Sequence, residues 1–308
     1  MKIAVIDLGT NTFNLLVAEL NDNKAFDIVF RHKIPVKLGQ GGINQGLLMP
    51  DAIERGINAI EEHLAFLKKY HPDKLFAYAT SAIRSASNKD LFISELFERF
   101  NLNVTLISGD EEAELIYHGV RNAVKLSEEK VLIIDIGGGS IEFIIANNST
   151  IFWKKSYKIG IARLIEKFRP SDPISDWEIS MIEQYFSNEL NDFFDECEKH
   201  PLKTLIGSSG SFDSFVHMIK CESDIPISKE NEPSFSLPRG SFEKLYEKLI
   251  LSTVSERIKM PGLEAMRVEM IVVAALLVKF ITKNTGIQNI IQSDFSLKEG
   301  TIFKLLSK

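Results

Sequence analysis

The chain has 308 residues, 44% hydrophobic and 25% charged. That excludes a disordered or collagen-like chain and predicts two globular domains. A net charge of −6 argues against whole-molecule attraction to nucleic acid or an anionic membrane, so any polyanionic partner needs a local grip. Cys197 and Cys221 are the only cysteines; they offer neither a disulfide framework nor zinc spacing and read as reduced thiols of a cytoplasmic protein. Asp7 interrupts the early apolar run and spoils a signal-peptide core. The longest apolar run, Met270–Val278, is too short to span a bilayer and reads as a buried helix.

In chain order, Ile3–Ile6 is a β-branched strand. Phe13–Leu20 and Ala25–Val36 form a meander through a turn at Asn21-Asp22-Asn23. Asp51 and Glu54 give a capping-box signal, followed by apolar residues at helical spacing until Pro72. Leu75–Ala79 reads as a strand, Asp90–Phe100 as a helix, Val104–Ile107 as a strand and Glu111–Val124 as a helix. Polar residues 125–130 mark a domain boundary. Strands follow at Val131–Ile134, Ile141–Ala146 and Thr150–Tyr157. Helices are predicted at Asp176–Cys197, Ser211–Ile219, Ser241–Leu251 and Leu263–Thr282. A strand at Ile287–Ile291 and a helix at Leu297–Leu306 close the chain. Glu222–Arg239, with three prolines, reads as a mobile loop.

An internal repeat organises these elements. Residues 3–18 read IAVIDLGTNTFNLLVA and residues 131–146 read VLIIDIGGGSIEFIIA, at a constant offset of 128 positions. Asp7 aligns with Asp135, Gly9 with Gly137, and Thr12 with Ser140. Each copy is a strand ending in Asp-aliphatic-Gly, a tip of small residues and a second strand. The predicted domains are 1–124 and 125–295, each with a related core, and a final helix at 296–308 that packs back on the first.

Small tips let backbone N–H groups converge on an anion without interference from Cβ atoms. Gly9, Thr10, Asn11 and Thr12 form one tip; Gly137, Gly138, Gly139 and Ser140 form the richer one. Aspartate is unusual at a strand end, so Asp7 and Asp135 are candidate Mg²⁺ ligands. A third small-residue loop, Gly207, Ser208, Ser209 and Gly210, precedes a helix and suits an anion. No P-loop, dinucleotide fingerprint or histidine metal spacing is present. In SGDEEAE, Ser108 and Glu111 form a capping box. Glu112 borders the apolar side of that helix, where burial makes a carboxylate a better base. Residues 152–170 carry Lys154, Lys155, Lys158, Arg163, Lys167 and Arg169 against one acid, Glu166: either an edge strand guarded by lysines or a track for a phosphate polymer.

The stretches IDLGTNTFNLLVA, ATSAIRSASN, ISGDEEAELIYHGV, IIDIGGGSIEFII, IGSSGS, MPGLEAMR and SDFSLKEG resemble, in order, those of the exopolyphosphatase/guanosine pentaphosphate phosphohydrolase (Ppx/GppA) family. That family belongs to the actin-like ATPase and sugar-kinase superfamily. The resemblance implies an α/β fold of two ribonuclease-H-like, actin-like domains with an interdomain active-site cleft. It implies a cytoplasmic, homodimeric hydrolase of the stringent response that uses Mg²⁺ or another divalent cation. The substrate would be polyphosphate or guanosine pentaphosphate. Glu112 falls on the general-base position, Arg84 on a phosphate-contacting arginine, and Asp135 and Glu142 on acids around the metal. Arg163 matches the arginine of a Gly-x-x-Arg-Leu pattern. A kinase of the same superfamily and a non-catalytic sensor of phosphorylated nucleotides are the competing readings.

Overall fold

The computed structural model describes residues 1–21, 25–223 and 232–307. The first half runs β1 (Lys2–Leu8), β2 (Thr12–Leu20), β3 (Phe26–Pro35), α1 (Pro50–Tyr70), β4 (Lys74–Ala79), α2 (Ser81–Ser85), α3 (Lys89–Phe100), β5 (Val104–Leu106) and α4 (Gly109–Val124). Next come β6 (Val131–Ile136), β7 (Ile141–Ala146), β8 (Ile151–Tyr157), α5 (Ile161–Phe168), α6 (Asp176–Glu189), α7 (Asn191–Glu198) and β9 (Thr204–Ser208). The chain closes with α8 (Gly210–Ser223), β10 (Ser234–Leu237), α9 (Arg239–Leu251), α10 (Val254–Arg257), α11 (Ile271–Thr285), β11 (Asn289–Ser293) and α12 (Leu297–Leu306).

Two mixed sheets result, ordered β3-β2-β1-β4-β5 and β10-β11-β9-β6-β7-β8. Read from its hairpin, the second has the order of the first, with β10 added as an antiparallel edge. The repeat in sequence is a repeat in register. Asp7 faces Asn14 across the first hairpin and Asp135 faces Glu142 across the second. The bulges also correspond, between Val17 and Ala18 and between Ile145 and Ala146. Both tips close through the same bond, Gly9 N–H to Thr12 O and Gly137 N–H to Ser140 O, each 3.1 Å.

The β6 and β7 strands are buried on both faces, which explains their continuous apolar sequence. Leu132, Ile134 and Phe143 face the large core of the second half, shared with α8, α9 and α11. Ile133 and Ile144 face the opposite way, against Ile116 and Val120 of α4. Ile302 of α12 packs on Ile3, Val5 and Leu16 of the first sheet. The α4–α12 crossing is close enough that a Cβ on Gly300 would lie 1.7 Å from Leu115 O, so glycine is required there. These two helices join the sheets back to back.

Several local readings are corrected. The α1 helix starts with Pro50 at its first turn and has no side-chain cap; Asp51 pairs instead with Arg55 one turn on. The segment read as one helix from 176 to 197 breaks at Leu190 into α6 and α7. The segment 263–282 becomes helical as α11 only from Ile271, after a turn with Gly262 at φ +81° and a short 3-10 turn at Ala265–Arg267. Most of the predicted 222–239 loop lies outside the described residues, but Ser234–Leu237 is strand β10. The turn at Asn21–Asn23 also falls largely outside them. No helix among the described residues is long and apolar enough to cross a membrane.

Candidate active site

The two hairpin tips meet. A Cβ on Gly138 would lie 2.3 Å from the Asn11 amide, and one on Gly139 would lie 2.5 Å from Thr10 Oγ1 and 2.7 Å from Ser81 Oγ. Glycine is what lets the tips touch. Between them lies a cavity of about 170 Å³, lined by Asp7, Gly9–Thr12 and Glu112 from the first half and by Asp135–Ser140 from the second.

Glu112 reaches this cavity because the capping box sets the first turn of α4. Ser108 Oγ accepts from Glu111 N–H, and Glu111 returns a bond to Ser108 N–H. Glu111 is thereby an exposed cap, while the next residue, Glu112, turns inward and is 9% exposed. Its Oε2 accepts a 2.8 Å charge-assisted hydrogen bond from Arg84, which also donates to Ile107 O. Burial, reinforced by the nearby Glu142 carboxylate, raises the Glu112 pKa well above the usual carboxylate range; Arg84 opposes that rise. Arg84 does not line the cavity. Its placement is behind Glu112, as the cation that orients it.

Asp7 and Asp135 line the cavity from symmetry-equivalent positions. Burial, with a smaller contribution from the Asp135 charge, pushes Asp7 up to about 6. Asp7 accepts a hydrogen bond from Asn14. Asp135 Oδ2 accepts from Ser208 and Ser296, each at 2.6 Å. Glu142 is 1% exposed and does not line the cavity. Its Oε1 is held by Ser140 and Ser156 at 2.7 and 2.6 Å. Burial, and then the Asp135 charge, push it up to about 7. Among the described residues no three acidic, histidine or cysteine side chains converge as a metal cage. Two hard carboxylates facing one polar cavity nevertheless fit Mg²⁺, which usually takes only one or two protein carboxylates and completes its shell with phosphate oxygens and water. Asp7 and Asp135 would be that pair; Glu142 stands behind Ser140.

The third loop is shorter than its sequence suggests. Gly207 and Ser208 belong to β9 and are buried away from the cavity. Gly207 makes room for the Phe212 ring, which a Cβ would meet at 2.2 Å. Only Ser209 and Gly210 line the cavity. Ser209 takes the left-handed conformation at φ +73° and bonds Ile136 O through its hydroxyl.

The basic segment is not a continuous track. Lys154 donates to Asp110 O and sits 3.6 Å from Glu114. Lys155 pairs with Asp192 and lies over the Tyr157 ring. Lys158 is exposed. Arg163 is buried and spends its donors on Gly139 O, Ile43 O and Ser85 Oγ. The sequence count of cations could not show that their partners lie on other elements.

Three cations outside the sequence-predicted site residues line the cavity: Lys33, Arg267 and Lys298. Arg267 packs against Gly210, where a Cβ would lie 1.9 Å from its guanidinium. Its Nε is buried with no hydrogen-bond partner among the described residues. Lys298 forms no ion pair within 4 Å among the described residues and acts on Asp7 through its charge. Arg267 and Lys298 lie in stretches that carry the family resemblance, MPGLEAMR and SDFSLKEG, which was the available signal; Lys33, on β3, lies in none.

Comparison with known proteins finds relatives of the same fold over the whole chain. The Ppx/GppA phosphatase family model matches residues 16–308. The crystallised exopolyphosphatase of Cytophaga hutchinsonii is 35% identical, with a TM-score of 0.97 over 100% of this chain and 98% of its own. A Haemophilus influenzae protein provisionally named an exopolyphosphatase is 28% identical over 304 residues, 99% of this chain and 91% of that one. The Aquifex aeolicus member of the Ppx/GppA family, 24% identical, shares the two-domain, actin-like fold at a TM-score of 0.81 over 100% of this chain and 98% of its own. The chain therefore belongs to the Ppx/GppA phosphatase family.

Proposed function

We propose that this phosphatase removes the terminal phosphate of inorganic polyphosphate or of guanosine pentaphosphate, with Mg²⁺ or another divalent cation. The observation that carries the reading is Glu112: a buried carboxylate, fixed by Arg84, on the wall of the cavity that both glycine-containing tips share. Backbone amides of the tips hold the terminal phosphate. Glu112 orients the attacking water and takes its proton as the phosphoanhydride bond breaks. Its raised pKa makes it a stronger base than an exposed glutamate, and Arg84 favours its ionised form and aims it. A divalent cation, when bound by Asp7 and Asp135, supplies positive charge against the phosphate oxygens.

A specific observation favours the nucleotide. A second cavity of about 560 Å³ adjoins the first and shares Asn14, Lys33, Asp213, Asp294 and Lys298 with it. Its wall includes Phe235, Val216 and Gln292 and intersperses Arg31, Lys33, Lys220 and Lys298 with five carboxylates. A mixed wall with an aromatic ring and no excess of positive charge suits an uncharged nucleoside better than a run of phosphates. Homodimerisation, a cytoplasmic setting and a place in the stringent response go with this reading as expectations.

The test is phosphate release from polyphosphates of graded length and from guanosine pentaphosphate, with Mg²⁺ and with EDTA. Metal-dependent release from either substrate supports the reading, and a preference for the pentaphosphate supports the second cavity as its nucleoside site. Phosphate transfer from ATP to a sugar or acid would establish a kinase instead. Tight binding without release under any divalent metal would establish a sensor.

A further inference from the structure

The orientation of the Gly137–Ser140 tip is set from behind by the first turn of α5. Ile161 N–H donates to Gly137 O at 3.0 Å and Ala162 N–H to Gly138 O at 2.8 Å. Arg163 Nε donates to Gly139 O at 2.7 Å. Three successive carbonyls are thus drawn toward α5. In a planar trans peptide the N–H of the following residue points opposite to the C=O. Pinning these carbonyls therefore turns the N–H groups of Gly138, Gly139 and Ser140 away from α5. Gly138, Gly139 and Ser140 line the cavity, and no residue of α5 does.

Arg163 differs from the other two donors because it also holds the first half of the molecule. Its remaining nitrogens donate to Ile43 O at 2.6 Å and to Ser85 Oγ at 2.8 Å. Ser85 Oγ in turn donates to the carbonyl of Ser81, a cavity-lining residue. Nearby, Asn44 Nδ2 donates to Arg163 O at 3.1 Å, and Glu166 Oε2 accepts from Gly41 N–H at 3.1 Å. Arg163 is 9% exposed; among the described residues it has no carboxylate within ion-pair distance, and its hydrogen bonds go to carbonyl and hydroxyl oxygens. A buried cation satisfied by uncharged carbonyl and hydroxyl oxygens from two halves of a chain is costly unless those oxygens are held in place.

We propose that Arg163 is a positioning residue rather than a contact for a polyphosphate tail. It fixes the Gly139–Ser140 peptide so that the Ser140 N–H faces the transferred phosphate, and it makes that orientation conditional on docking of the first-half residues 39–46 and α2. The tip is then competent only when the two halves are together. This rests on the hydrolytic reading of the cavity above.

The experiment compares wild type, Arg163→Lys, Arg163→Ala and Ser85→Ala with a substrate that the wild type hydrolyses, after circular dichroism shows a folded protein. Loss of one donor to a developing oxyanion lowers kcat by about 10²–10³-fold. Arg163→Ala should approach that loss with KM changed by less than about 3-fold, and added methylguanidinium should restore part of kcat. Lysine cannot span three acceptors, so Arg163→Lys should fall between the two. Ser85→Ala, which cuts one tie and leaves Gly139 bonded, should cost kcat a few-fold with KM unchanged. The Gly139 and Ser140 amides should also exchange hydrogen faster in Arg163→Ala without any substrate, a readout independent of what the enzyme hydrolyses. A rise in KM at constant kcat, confined to long polyphosphates, would make Arg163 a tail contact and overturn the proposal. Unchanged kcat and exchange in folded variants would overturn it as well; if Arg163→Ala does not fold, Arg163→Lys and Ser85→Ala decide by the same criteria. A wild type that hydrolyses no phosphoanhydride would refute the function while the exchange result still judged the positioning role.

Discussion

Replacing Glu142 by glutamine should stabilise the metal-free protein, and only at high pH. Glu142 is 1% exposed, and its carboxyl is raised from 4.5 to about 7, first by burial and then by the charge of Asp135. The folded state therefore binds this proton more tightly than the unfolded chain. Stability falls as pH rises from the unfolded value of 4.5 through about 7. At about 1.4 kcal/mol per decade of proton affinity, the loss is about 3 kcal/mol once pH exceeds the folded value. Glutamine keeps an oxygen for Ser140 and Ser156 but never ionises. Its amide N–H groups lack an assured partner, which costs about 1–3 kcal/mol at every pH. The pH-independent cost cancels when the same mutant is compared at two pH values. Urea unfolding of wild type and Glu142→Gln, in EDTA at pH 4.5 and pH 8, should therefore give stability differences that themselves differ by about 3 kcal/mol in favour of the mutant at pH 8. The acid limb of any residual activity should also move to lower pH, because removing the Glu142 charge lets Glu112 ionise more easily. Equal mutant-to-wild-type differences at the two pH values would refute the reasoning.

Glu112→Gln should retain the fold and substrate affinity and lower kcat by about 10²–10⁴-fold, read from phosphate release under saturating substrate; unchanged turnover would remove Glu112 from the mechanism. Gly160→Ala should impair both folding and turnover, because the added Cβ would lie 2.4 Å from the Gly138 carbonyl group; thermal melts and kcat check it, with a stability loss of about 1–3 kcal/mol expected for such overpacking. The triple change of Lys154, Lys155 and Lys158 to Gln should leave KM for long polyphosphate and its salt dependence nearly unchanged, since Lys154 and Lys155 already have acidic partners. Lys298→Gln, by contrast, should raise KM several-fold for short and long substrates alike, because Lys298 lines the cavity itself; the reverse pattern in the two salt titrations would restore the basic segment as a substrate track.

Much of this molecule is legible locally. The duplicated strand–tip–strand pattern predicts both hairpins, because alternation and glycine spacing are properties of neighbouring residues. The same holds for the α4 cap: Ser108 and Glu111 are three residues apart, and their reciprocal bonds need nothing from elsewhere in the chain. That cap also determines that Glu112 turns inward. Where the sequence reading went astray locally, at Pro50 and at Leu190, a competing short-range rule or a break between two packed helices prevailed.

What a charge does was decided only by tertiary structure. Arg163 sits in a cation-rich stretch and reads as part of a surface track, yet its acceptors lie 24, 78 and 120 residues away. Glu142 and Asp135 are aligned acids at strand ends, but register puts one behind Ser140 and the other on the cavity wall. Lys298 gains its place because α12 returns to α4 and the first sheet, which carries it beside Asp7. Local patterning sets which face of a strand or helix is buried. The partner of a buried charge depends on which distant backbone oxygens and carboxylates the packed sheets bring within about 3 Å, the range of a hydrogen bond, and no short-range rule contains that information.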